Sequence, residues 1–221
     1  MNAVGGRDAV DIEYLHRLGL IPVVEIDSLR EAEPLLAALV EAGLPAVEIT
    51  LRTPIGIDAI KMLRERHPDA LVGAGTVRSA ASAQRALDAG AQFIVSPTTN
   101  LDVISVCREA DVLVIAGACT PTEIETALSA GAPIIKLFPA EAMGGVAYLK
   151  ALTGPFPEVR FIPTGGINSR NLADYLRVPQ VVACGGSWIV TPSLLRVGAY
   201  AKIRELGAEA VEIVAQARAD V

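Results

Sequence analysis

One lysine interrupts the apolar run Pro133-Ile134-Ile135-Lys136-Leu137-Phe138-Pro139. A run of this kind, following the turn Ser129-Ala130-Gly131-Ala132, reads as a strand buried on both faces, where an ammonium group has no solvent. An isolated charge there is strongly unfavourable, so the lysine must meet a carboxylate or give up its proton. A carboxylate stands in a similar setting within Val47-Glu48-Ile49-Thr50-Leu51-Arg52. Alternation along a strand puts Glu48, Thr50 and Arg52 on one face and Val47, Ile49 and Leu51 on the other. The same rule groups Ile134, Lys136 and Phe138 and leaves Ile135 and Leu137 to pack against helices. If both polar sets face one interior, Glu48 and Lys136 share a space. As a bare buried ion pair they would be a weak source of stability. The chemical alternative is that a desolvated, partly neutral amine attacks a ketone to form a Schiff base, while the carboxylate shuttles protons directly or through a water. Phe138 would help keep such a site dry.

The elements that must position this pair recur regularly. Short β-branched runs start at Ile21, Ala46, Leu71, Phe93, Val112, Ile134, Arg160 and Val181, and helical patterns fill the gaps. Ser28 with Glu31, and Thr120 with Pro121 and Glu123, mark helix starts by capping-box spacing. Gly43, Gly90 and Gly131 mark helix ends just before strands, and Pro34 is expected to bend its helix. Eight strands alternating with about seven helices predict an α/β protein, a (β/α)₈ TIM barrel forming a single domain over 1–221. An N-terminal helix is expected at about 8–18 and a C-terminal helix at about 200–218. A doubly wound open sheet is the rival, but no dinucleotide fingerprint opens the first unit.

In a barrel, chemistry gathers at the carboxyl ends of the strands, which here carry Thr76, Ser96 with Pro97, and Thr164. Two glycine clusters follow the last two strands, Thr164-Gly165-Gly166-Ile167-Asn168 and Gly185-Gly186-Ser187-Trp188. Each alone is an ordinary turn signal. Both together, after strands 7 and 8, fit a phosphate held by backbone amides and a serine hydroxyl.

Composition narrows the partners. Hydrophobic residues make up 52% of the 221, charged residues 20%, and the net charge is −6. No basic block suggests a nucleic-acid or anionic-membrane surface, whereas small anionic metabolites remain compatible. No apolar run approaches the length of about 18 residues that a membrane span needs, and the first residues lack the order of a signal peptide, so a soluble cytoplasmic protein is expected. Cys107, Cys119 and Cys184 are isolated thiols, read as small buried hydrophobes. With only His16 and His67, a histidine-built metal site is excluded.

The motifs VEITLRT, VGAGTV, IKLFPAE, FIPTGGI and GGSW, in this order and spacing, resemble the 2-keto-3-deoxy-6-phosphogluconate (KDPG) aldolases, also called 4-hydroxy-2-oxoglutarate (KHG) aldolases. The similarity runs from about Ile21 to Trp188 and continues weakly beyond. It implies that Lys136 is the Schiff-base lysine and Glu48 the proton shuttle. It also implies that Arg52 and Thr76 hold a pyruvate carboxylate, that Pro97 and Phe138 are apolar walls, and that Thr164 contacts the sugar-acid chain. Amides around Gly165, Gly166, Gly185, Gly186 and Ser187 match the phosphate end. The resemblance further implies a homotrimer, keto-acid and sugar-acid phosphate substrates, and neither metal nor other cofactor. The chain departs from many relatives in Ser96-Pro97-Thr98-Thr99-Asn100, where they have Ser-Pro-Gly, and in Ile115-Ala116-Gly117-Ala118-Cys119-Thr120-Pro121, where they often have Pro-Gly. The first departure borders the mouth of the site and bears on substrate range. The reading is a class I aldolase cleaving KDPG to pyruvate and glyceraldehyde 3-phosphate, with KHG as a slower substrate. The galactonate epimer is the nearest rival, disfavoured by Thr164 and the GGSW ending. A phosphate-binding barrel acting as an isomerase or binding module, with Lys136 only a charge partner, is the alternative from another class.

Overall fold

The computed structural model describes residues 10–219. Eight strands alternate with helices: β1 (Leu20–Val24), α2 (Leu29–Glu41), β2 (Ala46–Thr50), α3 (Gly56–Arg66), β3 (Leu71–Gly75), α4 (Ala80–Asp88), β4 (Phe93–Val95), α5 (Leu101–Glu109), β5 (Leu113–Ala118), α6 (Pro121–Ser129), β6 (Ile134–Leu137), α7 (Gly145–Thr153), β7 (Arg160–Phe161), α8 (Leu172–Leu176) and β8 (Cys184–Gly186). Helix α1 (Ile12–Leu18) precedes them, and α9 (Pro192–Arg196) and α10 (Tyr200–Ala219) follow. The sheet runs β7-β6-β5-β4-β3-β2-β1-β8, with every ladder parallel. Its two edge strands meet through isolated bridges, Phe161 to Val181 and Thr164 to Gly185. Backbone bonds from Phe161 N to Gln180 O at 2.8 Å, Val182 N to Phe161 O at 3.0 Å and Gly185 N to Pro163 O at 2.9 Å line this seam. The sheet therefore curls into an α/β barrel.

The seven helices between strands match expectation, and local chemistry explains their limits. Capping boxes close the starts of α2 at Ser28 and Glu31 and of α6 at Thr120 and Glu123, with Pro121 in the first turn. Gly43, Gly90 and Gly131 follow their helices with φ of 87°, 90° and 95°, a left-handed turn that favours glycine. Helix α2 runs uninterrupted through Pro34. The expected N-terminal helix begins at Ile12, capped by the Asp11 side chain, while positions 8 and 9 lie outside the described residues. The C-terminal helix covers the expected 200–218 and reaches Ala219, the last described residue.

Two strand expectations need correction. Strand β7 has only two residues, because Pro163 lacks the N–H that a further ladder bond would use. Strand β8 starts at Cys184 rather than Val181, whose pairing is a single bridge across the seam. The thiols also divide. Cys107 and Cys184 are buried, and desolvation pushes the Cys107 thiol up to about 12. Cys119 is only half-buried, and its Sγ lies 3.3 Å from Glu123 Oε2 at the cap of α6.

Apolar residues form two bodies. Outward-facing strand residues such as Val47, Ile49, Val72, Ala74, Ile135 and Leu137 pack against Leu35, Leu39, Leu63, Ile104 and Leu149 of the helices. Inside the barrel, Ile21, Ala46, Leu71, Phe93, Ile115, Ile134 and Ile162 form a separate plug over Leu15 and Leu18 of α1.

Candidate active site

The plug ends one layer below the carboxyl ends of the strands. On β2 the inward positions are Ala46, Glu48 and Thr50; on β6 they are Ile134 and Lys136. Ala46 and Ile134 belong to the plug, and the next residues up are charged. Glu48 is 3% exposed and Lys136 6% exposed. Although β2 and β6 are not neighbours in the sheet, Lys136 Nζ reaches across the lumen to within 3.4 Å of Glu48 Oε1. That separation is longer than a tight ammonium–carboxylate bond. The ammonium also sits 5.6 Å from the Phe138 ring centroid, where the ring's negative face attracts it.

Small residues make the room. Gly75 on β3 lies against the Glu48 side chain: a Cβ there would collide with Oε1 and approach Cδ and Cγ at 2.7 Å. Gly117 on β5, the register partner of Lys136, lies against the Pro97 backbone, so the loop after β4 can fold over the barrel. The Thr99 hydroxyl fastens that loop by donating to Gly117 O at 2.9 Å.

Around the pair stand the other expected residues. Arg52, just past β2, is exposed, and its guanidinium is 3.6 Å from Glu25 just past β1. Thr76, at the end of β3, has φ of 57°, a conformation that costs a non-glycine residue on the order of 1–3 kcal/mol. Pro97 and Phe138 are half-buried at the rim. Thr164 is 8% exposed, and its Oγ1 occupies the space that a side chain at Gly185 would fill. Gly165 and Gly166 turn with φ of 98° and 86°, and among the described residues their amides and that of Ser187 donate to no backbone carbonyl. Ser187 is exposed. Gly185 corrects the expectation of an amide open to an anion, because its N–H is already donated to Pro163 O at 2.9 Å across the seam. Gly186 lacks a Cβ where the Trp188 ring packs.

Sequence reasoning missed Gly75 and Gly117, whose need is visible only when strands are in register. It also missed Glu141. This residue accepts a 2.5 Å bond from the Tyr175 hydroxyl, and its backbone N–H donates to Gly165 O at 3.1 Å. Burial, and then the bonded carboxylate, push the Tyr175 phenol up. Glu141 thus links the loop carrying Phe138 to the glycine turn after β7. The motif IKLFPAE contained Glu141, but nothing in the spacing pointed to Tyr175. A groove of about 580 Å³ lies elsewhere, lined by Lys61, Asp88, Gln92 and Asp111. The buried charge pair, not that groove, marks the candidate site.

A family model for KDPG and KHG aldolases matches residues 12–206. The chain belongs to this family. Its family relatives include the 2-dehydro-3-deoxy-phosphogluconate aldolase of Treponema pallidum, 43% identical over 202 residues that span 91% of this chain and 96% of the relative. The KHG/KDPG aldolase of Escherichia coli is 41% identical over 193 residues, 87% of this chain and 91% of the relative. Among solved structures of the family, the KDPG aldolase of Legionella pneumophila, with pyruvate captured as a covalent carbinolamine, superposes with a TM-score of 0.86 at 38% identity, covering 90% of this chain and 97% of that one.

Proposed function

We propose that this family member is a class I aldolase that cleaves KDPG reversibly to pyruvate and glyceraldehyde 3-phosphate. We further propose that it acts as a homotrimer of single (β/α)₈ domains, 1–221, in the cytoplasm. The observation that carries the reading is the buried pair of Lys136 and Glu48, 3.4 Å apart across the lumen. Transfer of one proton from ammonium to carboxylate leaves a neutral amine to attack the C2 ketone. After proton transfer from nitrogen to oxygen, the Glu48 carboxyl protonates the carbinolamine hydroxyl, which leaves as water and gives the iminium. Glu48, again a carboxylate, takes the C4 hydroxyl proton by way of a water. The C3–C4 bond then breaks, its electrons flow into the iminium, and the aldehyde departs. Glu48 returns the proton to the enamine carbon, and water releases pyruvate.

The surrounding residues fit the two ends of the substrate. Arg52 and Thr76 would hold the carboxylate; an exposed ion pair such as Arg52 with Glu25 is worth little, so the guanidinium fork is cheaply redirected. Pro97 and Phe138 would wall the pyruvyl group, and Thr164 would meet the sugar-acid chain. Gly165, Gly166, Gly186 and Ser187 would take the phosphate. KHG, cleaved to pyruvate and glyoxylate, would react more slowly because those phosphate contacts go unused. The test is intact mass spectrometry after pyruvate and borohydride, with peptide mapping. A reduced pyruvyl adduct on Lys136 is expected, as is faster cleavage of the gluconate than of the galactonate epimer. No adduct under conditions that label a known lysine aldolase would overturn the mechanism.

A further inference from the structure

Among the described residues, five buried ones are polar or charged: Glu48, Thr50, Ser96, Lys136 and Thr164. Glu48 and Lys136 meet each other, the Ser96 hydroxyl accepts from Thr98 N at 3.3 Å, and Thr164 Oγ1 lies 3.5 Å from Ile162 O. Thr50, 1% exposed, is different: among the described residues its Oγ1 makes no hydrogen bond. A buried hydroxyl without a partner is unfavourable, and valine would fill the same strand position with the same shape. The hydroxyl therefore calls for a partner from outside the protein.

Its position says which. Thr50 lies two residues beyond Glu48 on the inward face of β2, and its register partner on β3 is Gly75, whereas that of Glu48 is Gly73. Yet the atom that a Cβ on Gly75 would strike first is Glu48 Oε1. The carboxylate has thus leaned one layer toward the mouth, into the layer of Thr50. The same Oε1 faces Lys136 Nζ. Threonine offers one donor and two acceptor sites, and a water bound between it and the carboxylate would have the two or more polar partners a buried water needs.

We propose that Thr50 is a positioning residue whose hydroxyl holds the water through which Glu48 exchanges protons with the bound substrate. The inference rests on the aldolase reading above. In each transfer the water takes one proton from the donor and passes one of its own to the acceptor, so it is unchanged by the relay. Thr50 fixes where that water stands.

The test compares wild type with Thr50→Val and Thr50→Ser, each checked for an unchanged circular dichroism spectrum. Three quantities are read: KDPG cleavage, borohydride trapping of pyruvate, and deuterium uptake into the pyruvate methyl group followed by NMR. For Thr50→Val, kcat and deuterium uptake should fall about 10- to 100-fold, as expected when a reacting group loses its positioning. KM should stay within about two-fold and the Lys136 adduct should still form. Thr50→Ser, which keeps the hydroxyl, should recover most of the loss. Wild-type kcat in the valine variant would overturn the proposal, as would a rise in KM alone or a serine variant as slow as the valine one. Should Thr50→Val not fold, Thr50→Ala against Thr50→Ser makes the same comparison. Absence of any adduct in wild type would instead fail the underlying aldolase reading.

Discussion

The barrel interior has two halves built from the same strands at the same inward register. At the amino ends, Ile21, Ala46, Leu71, Phe93, Ile115, Ile134 and Ile162 close over α1 as a dry plug. One layer higher, the inward positions carry Glu48, Thr50, Lys136 and Thr164 beside glycines at 73, 75, 117 and 185. The lower half follows the rule for stability, with large apolar groups in contact. The upper half violates it, with buried charge and no side chain at every other site. The plug excludes water from below and holds the strand spacing, so the polar layer can be both desolvated and fixed. Stability and chemistry are thus assigned to adjacent rungs of one ladder, which predicts that substitutions will separate them.

The sharpest separation is the double change Lys136→Met with Glu48→Gln. Turnover should fall about 10⁴-fold or more, equivalent to about 5.5 kcal/mol of barrel chemistry. Because no unpaired charge remains, denaturant unfolding should show stability changed by no more than about 1–3 kcal/mol, the range set by leaving the Gln amide without a partner. The opposite pattern is expected one layer down. Phe93→Ala opens a cavity in the plug where the ring fills the space beside Gly73, and should cost about 3–5 kcal/mol of stability while the folded fraction keeps its kcat. Equal losses of activity and stability in either variant would collapse the comparison. Gly75→Ala tests the boundary: its Cβ displaces the Glu48 carboxylate, so kcat should drop about 100-fold with the Lys136 adduct retained.

A smaller effect lies outside both halves. At the cap of α6, the N–H of Cys119 holds the Glu123 carboxyl below its usual range, with Thr120 adding bonds. A carboxyl lowered in the folded state stabilises above its unfolded value and loses that contribution as pH falls through the folded one. Glu123→Gln should therefore lower Tm by about 2–4 °C at neutral pH, and the gap to wild type should close in acid. A gap that persists below the carboxylate range would assign the effect to shape rather than charge.

Much of this arrangement was legible in the sequence because its signals are local. Lysine inside Ile134-Ile135-Lys136-Leu137 and glutamate inside Val47-Glu48-Ile49 are conspicuous against apolar neighbours, and strand alternation alone turns both inward. Helix starts at Ser28 and Thr120 carry their own chemistry within four residues. What was not legible depends on register between strands far apart in the chain. Gly75 reads as one more small residue until β2 and β3 are aligned, and the Gly185 amide looks available until the seam engages it. Thr50 was visible as the third polar residue on its face, but its lack of a partner exists only in three dimensions. The start of β8 was misjudged because Val181 and Val182 are apolar enough to be strand, while their pairing is limited by the short, proline-ended β7.

The seam between β7 and β8 has a further consequence, for the order of assembly. The seam has no continuous ladder: it depends on isolated bridges and on Arg218 of α10, whose guanidinium donates to Leu176 O, Val181 O and Val182 O at 3.0, 2.9 and 2.8 Å. The clasp is half-buried, and that burial lowers the pKa of the guanidinium. Arg218 follows all eight strands in the chain, so its three bonds join the seam only after every strand has been made. In native-state hydrogen exchange, the amides of Phe161 and Val182 should open before those of β2 and β3. The barrel is a ring with a latch, and the latch comes from a helix that follows every strand.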